Sequence, residues 1–350
     1  MAEPHGPFAE KKPQDDGWAV ERERLLHNRI DELGLRIEGT YLQPIVERLY
    51  AELANAGIAL RPKVYLSDEW SCPDGVPVIG IPFYLADRDL ARIEDEMMEG
   101  IEAQSETEIL SYLRHEAGHA FNYAHKLYET QGFLQTFGDY YAPYREDFVP
   151  LPFSRNYVRH IPGWYAQKHP DEDFSETFAV WLDPHSDWRE TYRDWGCYAK
   201  LEYMQQIARE YGSKPPKVTG DDYDFASDAL AYSVEEHYRK TRPELLELPP
   251  EFDHDLRKIF RSARPHCSGA SMRAEQFILR NRRVLVARVA HWTGLFDVLV
   301  RSLVNHFAER CRKLDLWVDS EDETRALVDL TACVSALAMN RLYKGEFVLR

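Results

Sequence analysis

The chain has 350 residues, with 43 Lys+Arg against 59 Asp+Glu, and therefore carries a formal net charge of −16. This length is enough to bury a core without cross-links, which excludes the small disulfide-stapled scaffolds. The acidic balance and the lack of a long Lys/Arg run argue against nucleic acid or an anionic membrane surface as a partner.

Cysteine usage and hydropathy indicate a cytoplasmic protein. The five cysteines are widely spaced and never form a CxxC pair, so we expect reduced thiols and no thiolate metal site. The first residues lack the apolar centre of a secretory signal, and nowhere do 18 apolar residues run together.

The first 98 residues predict a tail, helices and a small sheet. Residues 1–14 are polar and Pro-containing and predict a mobile tail. Apolar residues at helical spacing predict helices over residues 18–37 and 41–56, and Gly57 is placed to end the second. Runs rich in β-branched and aromatic residues predict strands at 62–67 and 76–86, followed by a helix over 88–98. The second run could offer an edge to an extended substrate through strand addition.

A long helix is predicted from Ser105 to Gly132. Ser105 and Glu108 form an S-x-x-E capping box that satisfies the first amides, and an apolar stripe keeps the 3.6-residue period. Gly118 on this helix predicts close packing against a strand.

The rest of the chain predicts a loop and more helices. Residues 132–170 read as an aromatic, Pro-rich loop long enough to suggest function. Helices are expected at 171–182, 188–211, 272–292, 296–314 and 321–343. A polar segment at 213–224 is predicted to be a linker between a catalytic domain, 15–212, and a helical carboxy-terminal domain, 225–350.

The predicted long helix carries the motif HEAGH, residues 115–119. His115 and His119 are four residues apart, so both imidazoles project from nearly one helix face and can bind one Zn²⁺ ion. Glu116 is turned by about 100°, which places its carboxylate beside the open coordination position. There it can act as a general base toward a water activated by the metal.

One candidate for the third ligand is His125, which gives HEAGHAFNYAH, the metzincin spacing with Asn122 in place of Gly. Asn tolerates a left-handed turn. However, the apolar period continues past Asn122, and on an unbroken helix His125 would point about 280° away from His115, as a solvated side chain.

The other candidate is Glu172, in the segment HPDEDFSETFAVWL. Glu172 and Glu176 share one face of the predicted helix, so the first could bind the metal while the second hydrogen-bonds a ligand histidine. Acidic residues in a first helical turn also simply complement the helix dipole. Beside HEAGH, the sequence favours Glu172 over His125, which gives the His, His, Glu set of a gluzincin.

HEAGHAFNYAHKLY and HPDEDFSETFAVWLDP together resemble a family of zinc-binding metallopeptidases over roughly residues 41–211. The E-x-F-x-E-x-F pattern is also similar to the third-ligand helix of lethal-factor-like and Pro-Pro-cleaving gluzincins. The resemblance implies His115, His119 and Glu172 as ligands and Glu116 as base. It further implies that Tyr165, seven residues before Glu172, stabilises the oxyanion.

The predicted fold class is α+β, a zincin-like domain with a small sheet, an active-site helix and a mostly helical carboxy-terminal half. The predicted function is zinc-dependent hydrolysis of a peptide or protein substrate with one Zn²⁺ per chain. Two alternatives stay open at this stage. One is a zinc-binding regulatory protein without catalysis, and the other is a zinc hydrolase of a non-protein amide.

Overall fold

A computed structural model describes residues 16–98, 103, 105–144, 148–241, 252–262 and 271–347. The predicted tail over residues 1–14 lies outside this described part. The described chain divides into two compact units. The first comprises most of residues 16–241, and the second comprises residues 148–153, 162–164, 252–262 and 271–347.

Two helices open the first unit, α1 (Asp16–His27) and α2 (Leu42–Asn55). The helix predicted over residues 18–37 ends early because the backbone at 28–31 pairs elsewhere. The amide of Ile30 donates to the carbonyl of Tyr232, and the amide of Val234 donates to the carbonyl of Asn28. Helix α2 stops as predicted near Gly57, whose φ of 82° suits a residue without Cβ.

The small sheet of the first unit is a parallel pair, β1 (Lys63–Ser67) and β2 (Val78–Pro82), with Lys63 opposite Val78 and Ser67 opposite Pro82. The predicted substrate edge on the second strand is wrong at its centre. Ser71 pairs with Gly80 on the outer side of β2, and the amide of Gly80 donates to the carbonyl of Ser71 at 2.7 Å. The chain itself therefore occupies that edge at Gly80.

Helix α3 (Arg88–Met97) leads to α4 (Glu106–His125). The capping box is confirmed: the Ser105 hydroxyl accepts from the amide of Glu108 at 3.2 Å, and the Glu108 carboxylate accepts from the amide of Ser105 at 2.9 Å. The helix runs through Asn122 without a turn but ends before Gly132, because Lys126 adopts the left-handed conformation with φ of 51°. A separate short helix, α5 (Gln131–Phe137), follows.

Helix α6 (Pro170–Leu182) packs closely on α4 at Gly118. A Cβ at Gly118 would lie 2.8 Å from the Cα of Ser175, which is too close for any side chain. The prediction of a neighbouring strand is wrong, because the neighbour is helix α6. This approach brings the HEAGH residues against the first two turns of α6.

A buried ion pair also holds α4 against its neighbouring helices. The guanidinium of Arg114 donates to both carboxylate oxygens of Glu52 at 2.7 and 2.8 Å and lies 3.2 Å from Asp183, just after α6. Such a fork ties α2, α4 and the end of α6 together.

The first unit is completed by α7 (Trp188–Thr191), α8 (Tyr198–Tyr211) and α9 (Val234–Thr241), so the helix predicted over 188–211 is split in two. The predicted linker at 213–224 packs on α4 instead of dividing the chain. The amides of Lys217 and Val218 both donate to the carbonyl of Ala124, at 2.7 and 3.1 Å. The division between units therefore falls near residue 242.

The second unit has its own apolar core and contains α10 (Asp253–Ile259), α11 (Ala274–Thr293), α12 (Asp297–Lys313) and α13 (Glu323–Lys344). An antiparallel pair, β3 (Ser271–Arg273) and β4 (Trp317–Asp319), joins them. The described chain is thus mostly helical with small sheets, consistent with the α+β class. None of its described helices is both long and apolar enough to cross a membrane.

Candidate metal site

Three buried side chains converge between α4 and α6. The Nε2 atoms of His115 and His119 lie 3.1 Å apart. Oε2 of Glu172 lies 3.1 Å from the first nitrogen and 3.4 Å from the second. His115, His119 and Glu172 together form a group that could hold a metal ion.

The spacing of these three atoms fits a small tetrahedral ion. Ligands about 2.0–2.1 Å from such an ion are separated from one another by roughly 3.3–3.4 Å. Oε2 of Glu172 is also buried without a hydrogen bond among the described residues. A bound cation would satisfy an atom that is otherwise costly to bury.

The charge of the pocket also favours a cation. Four buried carboxylates surround the two imidazoles: Glu116, Asp171, Glu172 and Glu176. Burial opposes a charge on His115, yet the adjacent carboxylates of Glu172 and Glu176 raise its pKa to about 9. The pocket therefore attracts positive charge strongly enough to overcome desolvation.

Each histidine is held from behind by a carboxylate. Oε1 of Glu176 lies 2.9 Å from Nδ1 of His115, as predicted for a residue one turn after Glu172. Oδ2 of Asp171 lies 2.8 Å from Nδ1 of His119. With a proton assigned to each Nδ1, both Nε2 lone pairs point at the shared centre, an arrangement that orients metal ligands and raises their basicity.

The sequence did not single out Asp171, which is anchored by two groups from α4. The side-chain Nδ2 of Asn122 donates to Oδ1 of Asp171 at 2.8 Å, and the hydroxyl of Tyr123 donates to Oδ2 at 2.6 Å. Asn122, considered above as a turn residue, is therefore part of the histidine support. The local sequence gave no signal for Asp171, because its contacts depend on how α6 packs against α4.

Glu116 is buried beside the ligand group. Burial raises the pKa of its carboxyl, and the neighbouring His115 and His119 partly counteract this rise. Among the described residues, its carboxylate makes no hydrogen bond. A buried carboxylate with a raised pKa and no fixed partner is suited to accept and return a proton.

Tyr165 lies in a short 3-10 turn, Tyr165–Gln167, just before α6. Its ring centroid is 5.9 Å from that of His115. Burial and the nearby charge of Glu172 raise the pKa of the Tyr165 phenol, so it keeps its proton at neutral pH. The structure thus places this predicted residue at the site as a hydrogen-bond donor.

Tyr144 is a further site residue that the sequence did not predict. Its hydroxyl donates to Oε1 of Glu172 at 2.6 Å and lies 3.2 Å from the hydroxyl of Tyr165. Its only sequence signal was its place in the aromatic loop suspected of function.

His125 is absent from the ligand group, but the prediction that it is solvated is wrong. Its side chain is 1% exposed and packs against the rings of Phe121 and Tyr211. The segment near Lys217 folds back over this end of α4. Burial, with a contribution from Lys217 and Lys214, lowers the pKa of His125 to about 4.

We expect His125→Leu to keep the metal and to weaken the acid sensitivity of the fold. The unfolded chain protonates this histidine below about pH 6.5, whereas the folded chain resists until about pH 4. The wild type therefore loses stability as pH falls between these values, by up to roughly 3 kcal/mol. Urea unfolding of chelator-treated protein at pH 7 and pH 4 measures this, and an unchanged pH dependence in the variant would contradict it.

No family model, no curated protein and no solved structure matched this chain. The resemblance to zinc-binding metallopeptidases therefore rests on the motif residues alone.

Proposed function

We propose that this protein is a zinc-dependent hydrolase of peptide bonds, with His115, His119 and Glu172 as metal ligands. The observation that carries the proposal is the convergence of two Nε2 atoms and one carboxylate oxygen within 3.1–3.4 Å, beside the buried carboxylate of Glu116. A zincin-like arrangement of α4 and α6 around the metal is part of the proposal.

Zinc is the metal that this donor set favours. Two imidazole nitrogens and one carboxylate oxygen, with no thiolate, are typical of catalytic zinc, whereas Mg²⁺ and Ca²⁺ prefer all-oxygen sites. Three protein donors leave a fourth position for water or substrate. A site that only stabilised the fold would need no base such as Glu116.

The chain's own residues would perform the proton transfers. A bound zinc ion would supply Lewis acidity, polarising both a water molecule and the substrate carbonyl. The Glu116 carboxylate takes one proton from the water as the oxygen of that water bonds to the carbonyl carbon. Glu116 then returns the proton to the departing nitrogen as the C–N bond breaks. The Tyr165 hydroxyl donates a hydrogen bond to the carbonyl oxygen as negative charge develops there.

Tyr165→Phe should bind zinc normally and lose about 10²- to 10³-fold in kcat, the usual effect of removing one oxyanion donor. The measurement is steady-state kinetics on a cleaved peptide, beside the metal content of the same preparation. Undiminished turnover would remove Tyr165 from the mechanism.

The proposed function is tested by zinc stoichiometry and by hydrolysis of a peptide library, with and without a chelator. We expect one zinc per chain and cleavage that disappears with the metal and returns on adding zinc. A wild-type protein that binds no zinc would overturn the site, whereas a zinc-loaded protein that cleaves no peptide would overturn the activity alone. Cleavage of small modified amides in place of peptides would favour the alternative substrate class.

A further inference from the structure

We propose that Tyr144 is a positioning residue that holds Glu172 in a one-oxygen binding mode. The proposal rests on the ligand role of Glu172 in the proposed function. The Tyr144 hydroxyl donates to Oε1 at 2.6 Å, while the other oxygen, Oε2, faces the two histidine nitrogens at 3.1 and 3.4 Å. The two carboxylate oxygens thus have separate partners.

This division decides how many positions the protein fills on a metal. A carboxylate can bind a metal through one oxygen or both, and an ionised carboxylate only accepts hydrogen bonds. A short O–H···O⁻ bond is among the stronger hydrogen bonds in proteins. Because the bond from Tyr144 engages Oε1, Glu172 presents only Oε2 to a metal, and the fourth position of a tetrahedral metal stays open.

The loop before α6 is built to keep Tyr144 in place. Nε2 of His169 lies 2.9 Å from the carbonyl oxygen of Ala142, and the rings of Tyr144 and His169 lie 5.3 Å apart. His169 is also the N-cap of α6, where Nδ1 accepts from the amide of Asp171. The same residue therefore ties the Tyr144 loop to the helical turn that carries Glu172.

Tyr144 also affects the direction of the Tyr165 hydroxyl proton. Since the Tyr144 proton points to Glu172, its oxygen remains an acceptor for the Tyr165 hydroxyl 3.2 Å away. The two phenols and the carboxylate then form one hydrogen-bonded chain, and Tyr165 must turn its proton away from Tyr144 to reach a substrate oxygen.

The test is Tyr144→Phe, with Tyr141→Phe as the matched control. Tyr141 lies in the same loop, is 72% exposed, and its hydroxyl makes no hydrogen bond to the described residues. We expect Tyr144→Phe to weaken zinc binding about 10- to 100-fold, the usual effect of losing a group that orients a ligand. With Co²⁺ in place of zinc, its visible bands should lose intensity as Glu172 binds through both oxygens and the coordination number rises. The control should match the wild type.

Several outcomes would overturn the proposal. Wild-type zinc affinity and an unchanged cobalt spectrum in Tyr144→Phe would do so, and so would a fall in kcat alone, which would place Tyr144 on the substrate. Thermal unfolding of the metal-free variants checks that each remains folded. These measurements need no substrate. If the wild type cleaves no peptide but Tyr144→Phe still changes the zinc affinity and the cobalt spectrum, this proposal is supported and the proposed function is removed.

Discussion

Glu116→Gln should retain the metal and lose about 10²- to 10⁴-fold in kcat, the usual contribution of a general acid–base group. The substitution keeps the shape of the side chain but leaves an amide that cannot take a proton from water. Glu116 supplies none of the three atoms that converge on the metal position, so the zinc content of the variant should stay at the wild-type level. Stopped assays on a peptide identified from the library, with metal analysis of the same sample, measure both effects.

Glu106→Gln is the matched control for Glu116→Gln. It makes the same chemical change on the same helix, at a solvent-exposed position in the first turn. The control should keep full activity. If Glu116→Gln were as active as this control, Glu116 would not be the base. If Glu116→Gln lost its zinc, the carboxylate would have to be counted among the ligands.

The local parts of the site could be predicted from sequence because one helix carries them. The spacing of His115 and His119 follows from 3.6 residues per turn, and the capping box fixes where that helix begins. Glu172 and Glu176 likewise share a face of α6 because they are four residues apart. Each of these placements needs only one helix and its period, whereas the contact between Glu176 and His115 joins two helices and depends on how they pack.

The parts that depend on distant segments could not be predicted. Asp171 reaches His119 because Gly118 lets α6 approach α4 closely, and the partner of a glycine is not encoded locally. His125 is buried because the segment around Lys217 folds back on α4. Helix α4 ends just before Lys126, a residue type that gives no warning of a left-handed conformation. In each case, tertiary contacts override local propensity.

Glu172→Gln should reduce zinc affinity by more than about 100-fold, exceeding the 10- to 100-fold loss typical of groups that only orient a ligand. The replacement keeps the size of the side chain and an oxygen for the Tyr144 hydroxyl, but it removes the negative charge that faces both Nε2 atoms at 3.1 and 3.4 Å. Glu176→Gln acts on the Nδ1 side of His115 and keeps an oxygen for the amide of Ile161, so its loss should fall within the smaller range.

Stabilisation of the fold by added zinc measures the relative zinc affinities of these variants and needs no substrate. A ligand that binds only the folded state stabilises it by about 2.7 kcal/mol when present at 100 times its Kd. Added zinc should therefore raise the unfolding midpoint of the wild type and of His125→Leu equally, raise that of Glu176→Gln less, and leave Glu172→Gln nearly unchanged. The reverse order, with zinc lost in His125→Leu and kept in Glu172→Gln, would make His125 the third ligand. That would require α4 to break at Asn122, where the structure shows a continuous helix.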